Sequence, residues 1–142
     1  MTVQEFPLAW RWTQPSHSVL PPEVLGDIRP LSAADAAGTC VPAPNGRASA
    51  LSHAASDTDT EEVSRWLRGV QPDLRARVYV RWSQELAVET SWAILTEYWD
   101  DFCYPSSDDV TVAPVFKGVS PRIVAFSFCI HFWPFIFGVG PW

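Results

Sequence analysis

Residues 74–102, LRARVYVRW followed by SQELAVETSWAILTEYWDDF, contain the change of hydrophobic period that decides the fold. Leu74, Ala76, Val78, Val80 and Trp82 alternate with Arg75, Arg77, Tyr79 and Arg81. A two-residue period of this kind belongs to a strand with one face buried, here with a cationic outer face. After a short turn at Ser83-Gln84-Glu85 the period lengthens. Over about 89–102, Trp92, Leu95, Tyr98, Trp99 and Phe102 fall on one helical arc, with Ile94 at its edge, and Thr96, Glu97, Asp100 and Asp101 fall on the opposite arc.

Upstream, Asp59-Thr60-Glu61-Glu62 reads as an N-cap with a glutamate three residues on, and Val63, Trp66 and Leu67 form an apolar stripe. Arg65 and Arg68 suit the C-terminal dipole and Gly69 stops the helix, which predicts a helix over about 60–69. The preceding stretch, residues 38–57, is rich in Pro, Gly, Ser and Ala without periodicity and is expected to be a flexible loop. Pro21-Pro22-Glu23-Val24-Leu25 suits a short helix, and Ser32 with Asp35 caps a second one ended by Gly38. Phe6, Leu8, Trp10 and Trp12 alternate like a strand, placed at an edge because Pro7 has no amide hydrogen. Downstream, Pro105–Asp109 is a turn, Val110–Val115 a short strand and Lys117-Gly118 another turn. The order β-α-α-β-α-β-β predicts a single α+β domain over 1–142. It would have a mainly antiparallel sheet of about four strands and two principal helices, about 60–69 and 89–102, packed on it.

Composition narrows the function. With 16 carboxylates against 10 basic residues, the net charge of −6 excludes a binder of phosphate backbones, so no nucleic-acid partner is expected. Cys40, Cys103 and Cys129 form no CxxC pair, which argues against a disulfide framework or a zinc knuckle. The opening MTVQEFPLAWRWTQ has no secretory signal, so the expected compartment is the cytoplasm.

Glu97, Asp100 and Asp101 are helical neighbours, and Asp108 and Asp109 follow across a turn: five carboxylates in thirteen residues. Their expected place in the last helical turns sets them against the dipole. Three readings compete. They form a solvated face partly neutralised by Arg77 and Arg81, an acidic binding surface for a cationic protein partner, or a Mg²⁺ or Ca²⁺ site. The spacing is not that of an EF-hand loop, so no metal ligand is assigned.

No catalytic residue or cofactor is assigned either. His17, His53 and His131 lie in separate segments, no nucleophile elbow is present, and Cys103 between Phe102 and Tyr104 reads as a buried small hydrophobe. The question of an enzyme stays open and leans towards none. The alternative is a metal-dependent hydrolase using Asp100, Asp101, Asp108 and Asp109.

Residues 123–142 carry no Asp, Glu, Lys or Arg. Val124, Phe126, Phe128, Ile130 and Phe132 alternate with smaller or polar residues, which favours a strand followed by an irregular end. A membrane tail anchor competes on length, but Pro134, Gly138, Gly140 and Pro141 break any such helix, so no membrane partner is expected. Self-association through this apolar C-terminus is the further expectation.

At two places the residues resemble a small bacterial family known only as a domain of unknown function. The first is His17-Ser-Val-Leu-Pro-Pro-Glu-Val-Leu-Gly-Asp-Ile-Arg-Pro-Leu-Ser32. The second combines Val78-Tyr79-Val80, Val88-Glu89-Thr90-Ser91-Trp92, Tyr98-Trp99-Asp100-Asp101-Phe102 and the Asp108-Asp109 turn. The likeness spans about residues 5–35 and 75–113 and fades after about Pro114. A change of reading frame in the gene is one origin for the Phe/Trp/Gly/Pro run that follows. Related sequences, some similar to immunity proteins of bacterial toxin systems, imply a cytoplasmic bacterial protein and carry over no catalytic residue.

Overall fold

The computed structural model describes residues 1–39, 51–54, 60–104, 108–117, 130–133 and 136–139. Its strands are β1 (Arg29–Pro30), β2 (Leu51–Ala54), β3 (Arg77–Arg81), β4 (Ala87–Ser91), β5 (Val110–Pro114), β6 (Ile130–Trp133) and β7 (Ile136–Val139). They form one sheet in the order β1-β4-β3-β5-β6-β7-β2, and every neighbouring pair is antiparallel. Six helices accompany the sheet among the described residues: α1 (Trp10–Thr13), α2 (Pro22–Asp27), α3 (Ala33–Gly38), α4 (Thr60–Val70), α5 (Trp92–Glu97) and α6 (Trp99–Phe102). The chain is therefore an α+β protein with an antiparallel sheet. β1, β4, β3 and β5 carry its packed part, and the other three strands extend it.

The β3–β4 hairpin organises the packing. Val78 and Val80 lie opposite Thr90 and Val88, and on the other side of β3 Val80 lies opposite Val112. These residues are fully buried beneath Val63 and Leu67 of α4, Trp92 and Leu95 of α5, and Trp99 and Phe102 of α6. Each fully buried indole also finds a backbone acceptor. Trp12 Nε1 donates to the Asp101 carbonyl at 3.0 Å, Trp92 Nε1 to Gln71 at 2.7 Å and Trp99 Nε1 to Thr60 at 3.0 Å. Trp82, at the end of the hairpin, donates to the Phe102 carbonyl at 2.9 Å. Satisfying the one polar atom of a buried indole is what makes so much tryptophan tolerable in this core.

The opposite face of the hairpin is covered too. Tyr79 meets Phe116 edge-on at 5.3 Å, within a smaller cluster of Leu31, Ala36, Ala87 and Ala113. The expected solvated cationic face of β3 is thus interrupted by a buried tyrosine.

Several expectations are corrected. Residues 6–12 are not a strand: a 3₁₀ turn at Val3–Glu5 leads through turns into α1. The buried positions are Phe6, Ala9 and Trp12, three apart, and they are joined by Ala9 N–H to Phe6 carbonyl and Trp12 N–H to Ala9 carbonyl bonds of 2.9 Å. That spacing competes with the two-residue alternation, and Pro7 favours the turn. The helix expected over 89–102 begins only at Trp92, because Ala87–Ser91 belongs to β4. Ser91 caps α5 by accepting from the Ile94 N–H at 3.2 Å, and the helix breaks at Tyr98 before α6 restarts. β3 starts at Arg77, leaving Leu74 exposed.

Within the loop expected over 38–57, residues 51–54 are strand β2, paired with β7. The rest of that loop beyond Thr39 lies outside the described residues, as does Asp59. The strand expected over 124–132 is described only from Ile130. The self-association expected of residues 123–142 rests on side chains outside the described ones. Among the described residues, no helix is long and apolar enough to cross a membrane.

Candidate functional site

The break at Tyr98 rearranges the acidic cluster. Glu97 ends α5 and is exposed, whereas Asp100 and Asp101 lie in the first turn of α6. With the helix broken at Tyr98, no long helix sets the C-terminal end of its dipole against them. Asp101 is partly buried and accepts the Ser18 hydroxyl at 2.6 Å. Burial pushes its carboxyl up from the ordinary value, and the Ser18 bond offsets this only in part.

The charges of three acidic residues, each on a different helix, act on Tyr98. Burial raises the phenol first, followed by the charges of Glu97, Glu23 of α2 and Asp101. Asp109 stands exposed at the entry to β5.

Asp108 belongs to a different structure. Its two carboxylate oxygens accept from the two terminal nitrogens of Arg11 at 2.5 and 3.1 Å, and one of them also accepts the Tyr104 N–H at 2.8 Å. The Asp108 N–H returns a bond to the Tyr104 carbonyl at 2.9 Å. Arg11 lies over the Tyr104 ring at 4.1 Å and also donates to the Phe102 carbonyl at 3.3 Å. The Arg11 and Asp108 side chains are only 8% and 12% exposed. This bidentate pair is a clamp between α1 and the entry to β5, and it removes Asp108 from the acidic surface.

Arg77 does not neutralise the 97–109 carboxylates. It bonds Asp27 through one terminal nitrogen at 2.9 Å and Glu89 through Nε at 3.3 Å. Glu89 also accepts from Arg29 at 2.6 Å and pairs with Lys117 at 2.9 Å, so three cations hold one carboxylate whose side chain is 8% exposed. Burial would raise its carboxyl, but the Lys117 bond and the charges of Arg29, Lys117 and Arg77 outweigh it and hold the group below its ordinary value. Local spacing does not reveal this hub, because Glu89 belongs to β4 and not to the helix expected to begin there. The signal that locates it is strand register: Glu89 lies opposite Arg29 on one side and Tyr79 on the other.

Cys103 is fully buried, and burial drives its thiol far above the ordinary range, so it is a packing residue and not a nucleophile. Among the described residues, no three His, Cys, Asp or Glu side chains gather where they could hold a metal ion. Comparison with family models, with curated proteins and with solved structures gave no match.

Proposed function

We propose that this chain is a non-enzymatic interaction protein of a bacterial cytoplasm, immunity-like in character, that offers an acidic face to a cationic protein partner. The face comprises Glu97, Asp100 and Asp101 with Glu23, together with the exposed Asp109. The observation that carries the reading is the exposure of Glu97 beside Asp100 and Asp101, with the charges of Glu23, Glu97 and Asp101 all acting on Tyr98. A partly exposed tyrosine in a field of negative charge suits a lysine or arginine side chain, through both charge and ring quadrupole. Complementary charge of this kind speeds encounter and selects the partner more than it adds affinity.

The test compares two variants of equal charge. Glu97→Gln with Asp100→Asn alters the proposed face, whereas Glu61→Gln with Glu62→Gln alters the first turn of α4. A cationic protein captured at low salt and identified by mass spectrometry should lose binding to the first variant and keep binding to the second. Equal loss in both would reduce the attraction to net charge and defeat the proposal.

A further inference from the structure

We draw no further inference here: the strongest candidate, the half-buried Arg81 guanidinium on the face of β3 that carries Tyr79, whose Nε finds no hydrogen-bond partner among the described residues, has only Ala87 and Thr111 opposite it in the strand register, and neither of these selects a ligand.

Discussion

Cutting Asp108 back to alanine separates a structural clamp from a surface charge by its magnitude. A solvated ion pair is worth about 0–1 kcal/mol, since water screens it and two long side chains must be ordered to make it. The Arg11–Asp108 pair is 8% and 12% exposed and bidentate, so that discount does not apply. Asp108→Ala strands the Arg11 guanidinium among Trp10, Tyr104 and the Phe102 carbonyl and removes the acceptor of the Tyr104 N–H. The expected loss is about 3–5 kcal/mol, a large share of the 5–15 kcal/mol typical of a domain. Asp108→Asn retains an acceptor for Tyr104 and should cost less. In urea melts at neutral pH followed by tryptophan fluorescence, Arg11→Met with Asp108→Ala should be less destabilised than the sum of the singles by about 2 kcal/mol or more. A loss below about 1 kcal/mol for Asp108→Ala, or simple additivity, would refute the clamp.

Glu89→Gln should cost about 1–2 kcal/mol at neutral pH, a modest figure because Arg29 and Lys117 are more than half exposed. Because the folded state holds the Glu89 carboxyl below its ordinary value of 4.5, its contribution is complete above that pH and lost as pH falls through the lower folded value. Acid melts of the variant should therefore fall less steeply there than those of the parent. Ser91→Ala removes the α5 cap and should lower stability by about 1 kcal/mol, whereas Ser91→Asp should preserve it in the same melts. Cys103 should react with a thiol reagent only at the rate of unfolding, and fast labelling under native conditions would contradict its burial.

The α4 helix was legible because its stripe and its C-terminal arginines agree, and Val63 and Leu67 are buried as that stripe requires. The arc of Trp92, Leu95, Trp99 and Phe102 was legible for the same reason. Its start was not. Val88 and Thr90 are β-branched and alternate, and Ser91 is a good cap, yet a helical arc read backwards runs through them without a break. What resolves the boundary is pairing with β3, a contact that no local window contains.

The acidic site was legible as composition only. Local spacing grouped Asp108 with Asp109, while the partner that sets Asp108 apart lies 97 residues away at Arg11. Glu89 was hidden by the same kind of distance, since Arg29 reaches it from 60 residues upstream.

The tryptophan anchors bear on how the chain is made. The indole bonds of Trp12 and Trp99 close sequence gaps of 89 and 39 residues, and the Arg11 clamp closes a gap of 97. Contacts this far apart must overcome loop-closure entropy before they return any stability, which makes folding slow for a chain of this size. During synthesis, Phe6 and Trp12 have no Trp82 or Phe102 to pack against until those residues leave the ribosome. The Phe6 and Trp12 rings are therefore made well before the Trp82 and Phe102 rings that cover them, and stay without that cover until the β3–β4 hairpin and α6 have been synthesised.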